Sequence, residues 1–389
     1  MKSNAPVFLA ALILLSACAA PGSDSSIEDL STPAPQQDSN TNSGGALLIW
    51  ESVESPCETA ILTVENLSYG KCGDALTAAS TQTTGHAPRL SDLWNRYASF
   101  TAQTPAGNLI FKGAGDLVPS DSETRAIAEW AKLMFQVAEA GRAGASWSLA
   151  FAWHREGGIA GFCDDVAVYL TGWATASDCK GFNAQTYLTA SQLEQLFAWV
   201  DGLSNVDYND SNAPLADGMT ITLALAGSGQ KKADKETIRE IIAFAATLDA
   251  QLGFAASAGP EVGDAEKSLR EYLAALNGGD YVLAAKLYGG DTSLMQTWNP
   301  DIENDLPALF ERACTQNGLQ CLAPRTITYR ASEVDGHHFW VEFSNADGAL
   351  FQQGPCCGET NGITTSMFPF SVEQTANVFT VMDLPPYVP

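Results

Sequence analysis

The chain has 389 residues, of which 45 are Asp or Glu and 20 are Lys or Arg, for a formal charge of −25 at pH 7. Such acidity excludes a role built on nucleic-acid phosphate contacts and a polybasic grip on anionic lipid. With 46% hydrophobic residues the chain carries enough apolar content to fold, and its length predicts two or three domains.

At the N-terminus, Lys2 is followed by the apolar run Val7 to Leu15 and then by small residues. That order describes a secretory signal peptide, too short to span a bilayer as a stable helix. The break reads Leu15-Ser16-Ala17-Cys18, which resembles the lipobox of bacterial lipoproteins. The resemblance implies removal of residues 1–17, a diacylglyceryl group on the Cys18 thiol and acylation of the new amino terminus. Two or more acyl chains anchor a protein stably where one does not. Cys18 is therefore the expected lipid attachment site, the membrane the expected partner, and the rest of the chain an extracytoplasmic body at the cell membrane or cell surface. Residues 18–45 are rich in Ser, Pro, Asp, Asn, Gln and Gly. They read as a flexible linker with a span of roughly 30 Å.

Residues 46–146 and 147–261 read as divergent copies of one α+β module. Each opens on a short apolar strand ending in Trp (Leu47 to Trp50; Leu149 to Trp153), followed by Cys, a second strand (Ala60 to Val64; Val166 to Leu170) and another Cys. A helix follows, with Leu90, Leu93, Trp94 and Tyr97 at helical spacing in one copy and Leu193, Leu196, Phe197 and Val200 in the other. A strand (Asn108 to Phe111; Thr220 to Leu225) and a final helix close each copy. Ser120 with Glu123 and Thr189 with Gln192 have the spacing of capping boxes, and Asp234 stands as a cap for the last helix. Corresponding residues from Trp50/Trp153 to Ile127/Ile238 recur at offsets of 103 to 111. Small loop insertions account for that drift, as expected of a duplication.

Nine cysteines become eight once Cys18 carries lipid, an even number in an oxidising compartment, so a disulfide framework is expected. The spacings of 15 and 16 residues favour Cys57 with Cys72 and Cys163 with Cys179. Of the three connectivities open to the other four, Cys314 with Cys321 is favoured, leaving Cys356 and Cys357 bonded to each other or free. No CxxC spacing supports zinc.

The second copy reads Trp153-His154-Arg155-Glu156-Gly157-Gly158-Ile159-Ala160-Gly161-Phe162. With the strand, helix, strand and helix that follow, it resembles emfourin-type inhibitors of thermolysin-like metalloproteases, small α+β proteins with an Arg-x-Gly-Gly-x-Ala turn. The resemblance implies a partner-binding loop made of Arg155, Glu156, Gly157, Gly158, Ile159 and Ala160, and an extracytoplasmic protease as partner. The first copy has Glu54-Ser55-Pro56-Cys57 in place of the glycine turn. Gly157-Gly158 also serves a purely structural reading, as a turn that needs positive φ.

Residues 262–389 place helices first (Ala265 to Leu276, a short one capped by Asp280, and Asp305 to Cys314 with Pro307 in its first turn). Strands are predicted at Thr326 to Arg330, His338 to Phe343, Leu350 to Gln352, Met367 to Val372 and Val378 to Met382. This order resembles the NTF2-like, cystatin-like domains of bacterial lipoproteins. The whole is expected to be a multidomain α+β protein. No His-Glu-x-x-His, Gly-x-Ser-x-Gly or phosphate-loop motif occurs, so no catalytic residue, metal or cofactor is expected. Asp164-Asp165 reads as a solvated loop. Two other readings remain beside inhibition. One is a cell-envelope ligand-binding or structural lipoprotein acting through the C-terminal cavity. The other is an NTF2-like enzyme using His337 or His338 with Asp347 or Glu342.

Overall fold

The computed structural model describes residues 45–388, apart from 145–146, 159–160, 212–217, 258–259, 334–335, 355–363 and 376–377. Cys18, Ile159, Ala160, Cys356 and Cys357 lie outside the described residues. The first sheet is built from β1 (Leu48–Glu51), β2 (Glu58–Leu62), β3 (Asn66–Lys71), β4 (Thr77–Ser80), β5 (Phe100–Thr104) and β6 (Gly107–Phe111). Helices α1 (Thr81–Thr84) and α2 (Ala87–Arg96) lie between β4 and β5, and α3 (Asp121–Ala140) follows β6. The second sheet is built from β7 (Leu149–Gly157), β8 (Phe162–Tyr169), β9 (Trp173–Asp178), β10 (Asn183–Tyr187), β11 (Ser204–Ser211) and β12 (Met219–Ser228). Helix α4 (Ala190–Gly202) precedes β11, and α5 (Lys235–Ser257) follows β12.

The two sheets have the same order, β4-β3-β2-β1-β6-β5 and β10-β9-β8-β7-β12-β11, with antiparallel neighbours throughout. The likeness extends to register. Trp50 pairs with Ala60 and Leu109, and Trp153 with Val166 and Leu223. Disulfides Cys57–Cys72 and Cys163–Cys179 bridge equivalent positions, with Cα atoms 5.4 and 5.7 Å apart. In each, the N–H of the second cysteine donates to the carbonyl of the first (3.0 and 3.3 Å). The third, Cys314–Cys321, lies beyond the repeats.

Each module thus has six strands where sequence patterning predicted three. The additional ones, β3, β4 and β5 with β9, β10 and β11, include the four sheet edges. Stretches such as Thr77-Ala78-Ala79-Ser80 and Asn183-Ala184-Gln185-Thr186-Tyr187 carry little apolar signal, because an edge strand can expose one face and one row of polar backbone groups. The helices agree with their periodicity. Ile127, Trp130, Ala131 and Met134 of α3 are buried in the first core, while Ile241 and Ala245 of α5 are buried in the second. Both capping boxes are formed, and Asp234 accepts the Thr237 N–H at 2.8 Å.

One difference between the copies is measurable. Trp50 and Trp153 are both buried, but Trp50 Nε1 donates to the Ala106 carbonyl at 2.8 Å whereas Trp153 Nε1 has no partner among the described residues. Trp50→Phe is expected to cost about 1–3 kcal/mol more than Trp153→Phe, because only the former orphans a buried acceptor. Urea unfolding of the two variants compares them directly.

The C-terminal module consists of α6 (Pro260–Gly278), α7 (Tyr281–Leu287), α8 (Ser293–Trp298) and α9 (Leu306–Thr315), then β13 (Ala323–Glu333), β14 (Gly336–Ser344), β15 (Phe368–Thr375) and β16 (Val378–Val381) in sequential antiparallel order. Leu350 to Gln352 forms no strand; it makes one bridge, Ser344 to Leu350, after a turn with Gly348 at φ +81°. Helix α6 lies across the sheet, and fully buried Tyr272, Phe310, Phe339, Phe343 and Phe370 fill the space between. Among the described residues no helix is long and apolar enough to cross a membrane. Residues 44–389 form one compact unit, so the three modules pack against one another.

Candidate functional site

Arg155 to Gly157 lie where β7 runs three residues further past its tryptophan than β1 does. Arg155, Glu156 and Gly157 belong to the strand, paired with Asp164, Cys163 and Phe162 of β8, and the turn proper begins at Gly158. Gly157, Gly158 and Gly161 have φ of +93°, +73° and +63°, so glycine is needed there on conformational grounds alone. A Cβ on Gly157 would also run into the Gly218 carbonyl of the neighbouring chain segment.

Arg155 is not presented outward. Its Nε donates to Asp164 Oδ2 at 2.9 Å, a second guanidinium nitrogen pairs with the same carboxylate, and the group lies 3.8 Å over the Phe162 ring and 3.9 Å from Asp249 on α5. It shares the helix-covered face with Trp153, because side chains alternate along a strand. Asp164-Asp165 is likewise strand rather than loop. The two carboxylates point to opposite faces, Asp164 to Arg155 and Asp165 to His154 Nδ1 (2.9 Å). Among the described residues, the hairpin exposes Glu156, Gly161 and Phe162 near its tip and Asp165 further along β8. Cys163–Cys179 and the Arg155 pairing hold its base.

Burial and the neighbouring Asp164 push the Asp249 carboxyl up to about 6, with Arg155 acting in the opposite sense. The folded protein therefore holds a proton there that the unfolded chain has lost, so stability falls as pH rises from about 4 through 6 and the full cost is present above that. Asp249→Asn is expected to raise stability by about 1 kcal/mol at pH 7.5, solvent screening having been allowed for, and to bring no gain at pH 4. Paired urea titrations at the two pH values test it.

A second site escaped sequence reasoning. All three modules meet around Glu123, the N3 residue of α3, which is buried. Its carboxylate accepts from Tyr97 Oη (2.8 Å) and the Ser120 N–H (2.8 Å), forms an ion pair with fully buried Arg325 of β13, and lies 3.6 Å from Arg96 of α2. Arg325 also donates to the carbonyls of Val118 (2.9 Å) and Gly348 (3.0 Å). From β14, buried Glu342 meets the start of α4, accepting the Ser191 N–H (3.0 Å) and hydroxyl (2.7 Å). Two side chains of the third sheet thus engage the N-termini of two helices from the other modules, and Glu342 places negative charge where α4 carries partial positive charge. Beside this junction a cavity of about 30 Å³ lies between the first two modules, lined by Arg89, Arg96, Tyr97, Glu123, Thr171 and Tyr187 among others. Its only sequence signal is the pairing of Arg89 and Arg96 seven residues apart on one helix.

No protein-family model matches the chain, and no curated protein matches it. The site must therefore be read from its chemistry.

The two histidines considered for acid–base work sit at the start of β14. His338 Nδ1 hydrogen-bonds Ser371 Oγ (3.1 Å), and the His337 ring lies 5.9 Å from Phe379, with its pKa lowered by partial burial. The carboxylates proposed to serve them have structural partners: Glu342 holds Ser191, and Asp347 accepts the Ala349 N–H (3.0 Å). His86 is a buried structural residue between Thr84 Oγ1 (2.5 Å) and the Thr63 carbonyl (2.7 Å).

Proposed function

We propose that the protein is a lipid-anchored extracytoplasmic binding protein, tethered through Cys18, that offers the β7–β8 hairpin of its second module to a thermolysin-like metalloprotease. The observation that carries this reading is the build of the hairpin. Its base is held by the Cys163–Cys179 disulfide and by Arg155 on Asp164 and Phe162, while Glu156 and Phe162 stand exposed beside a glycine turn. A turn held in shape before binding loses little conformational freedom in a cleft. In this reading Arg155 braces the loop instead of contacting the partner. The first module lacks both the strand extension and the glycines, and carries no such role. The aromatic filling of the C-terminal module favours the hairpin over that module's interior as the place of binding.

The test is a Gly157→Ala/Gly158→Ala double variant, with its melting temperature as a control for folding. Loss of metalloprotease inhibition by at least tenfold in a folded variant is the expected result. Unchanged inhibition would remove the hairpin from the account.

A further inference from the structure

We propose that the cavity between the first two modules binds a carboxylate group, held between Arg89 and Arg96 of α2. The chain has more than twice as many acidic as basic residues, yet two guanidinium groups line this one small space. Seven residues apart on a helix, they share a face two turns from each other. The remaining charge on the lining is Glu123, and that carboxylate is already taken by Arg325, Ser120 and Tyr97. Arg96 has spare capacity: among the described residues its buried Nε has no partner, and its Nη2 makes long contacts, 3.4 Å to Thr326 Oγ1 and 3.6 Å to Glu123. Arg89 is bound on one side by Asp92 (2.8 Å) and its guanidinium carbon lies over the Tyr187 ring (3.5 Å to the centroid), which leaves further N–H donors of its fork.

A buried guanidinium donor without an acceptor is costly, and an oxyanion with two in-plane lone pairs satisfies it in the geometry that arginine favours. The cavity volume of about 30 Å³ suits one carboxylate group or roughly two water molecules. Apolar Ala126, Ile127, Leu188 and Leu193 line the rest, where an aliphatic stem fits. The mouth is marked by Tyr187, 38% exposed, with Trp173 edge-on to it at 4.7 Å. The site therefore takes the acid end of a longer molecule whose body lies against these two rings. A peptide C-terminus and an acidic sugar both supply that chemistry. The site is separate from the hairpin and does not depend on it.

Ligand-observed NMR titration of the protein with acetate, N-acetylalanine and glucuronate, at ionic strength fixed with chloride, tests the proposal. Saturable binding of at least one acid, with none for its methyl ester, is expected. Arg89→Gln and Arg96→Gln should each weaken it roughly tenfold, the loss of one charge-assisted hydrogen bond. Tighter binding of N-acetylalanine identifies a peptide terminus as the source, and tighter binding of glucuronate an acidic sugar. Ala126→Val, which narrows the cavity without altering a charge, should abolish binding and decides the matter if an arginine variant fails to fold. No acid bound above the chloride control, or binding indifferent to all three substitutions, would show a cavity that holds water and overturn the proposal.

Discussion

Replacing Arg325 with alanine is expected to destabilise the protein by about 3–5 kcal/mol, the usual cost of breaking a buried ion pair from one side. Arg325 is fully buried, and its removal takes the main counter-charge from Glu123 and the donor from the Val118 and Gly348 carbonyls. Arg96, at 3.6 Å, is a poor substitute. Changing both partners, Arg325→Met with Glu123→Gln, should cost less, because glutamine keeps the capping box of α3 and no buried carboxylate is left without its counter-charge, while the Val118 and Gly348 carbonyls still lose their donor. Urea unfolding also reads out how the modules are coupled. With the pair intact the C-terminal module should unfold together with the repeats, whereas Arg325→Ala should separate a second transition. A cost below about 1 kcal/mol with a single transition would mean that apolar contacts alone hold the modules together.

The second large effect is expected twice. Gly113-Ala114-Gly115 follows β6 and Gly227-Ser228-Gly229 ends β12, and the two segments run against the C-terminal ends of α2 and α4. There the Ala114 N–H donates to the Trp94 carbonyl (2.8 Å) and the Gly229 N–H to the Leu203 carbonyl (2.8 Å). A Cβ on Gly113 would collide with the Tyr97 carbonyl, and one on Gly227 with the Leu203 carbonyl, which is the equivalent position. Backbone cannot move aside as a side chain can, so Gly113→Ala and Gly227→Ala should each cost about 3 kcal/mol. Gly202→Ala, where the added methyl meets nothing within 4 Å, is the control and should change stability by less than about 0.5 kcal/mol. Similar penalties at the paired positions, with none at the control, would carry the structural equivalence of the modules into energetics.

The duplication was legible in the chain because it rests on buried groups with strong local signatures. Trp50 and Trp153 end apolar strands, paired cysteines flank the second hairpin, and Ser120/Glu123 and Thr189/Gln192 mark helix starts. Half of the strands were not legible, since Thr77–Ser80 or Ser204–Ser211 needs no apolar face to be an edge. The Gly-x-Gly segments carry no local signal of the helix ends they pack against, because those ends are distant in sequence. Arg155 was misplaced for a related reason. Beside two glycines it looks like loop, whereas its partners Asp164 and Asp249 lie on another strand and on a helix more than ninety residues away. The junction was least visible of all, since Glu123 and Arg325 are 202 residues apart and each alone resembles a surface charge.

The most direct test of the functional account is a titration of residues 44–389 against a thermolysin-like metalloprotease and a serine protease side by side. The account predicts saturating inhibition of the metalloprotease alone, with the hairpin uncleaved. An unaffected metalloprotease in the presence of intact protein would contradict it and leave the acid-binding cavity between the first two modules as the place to look.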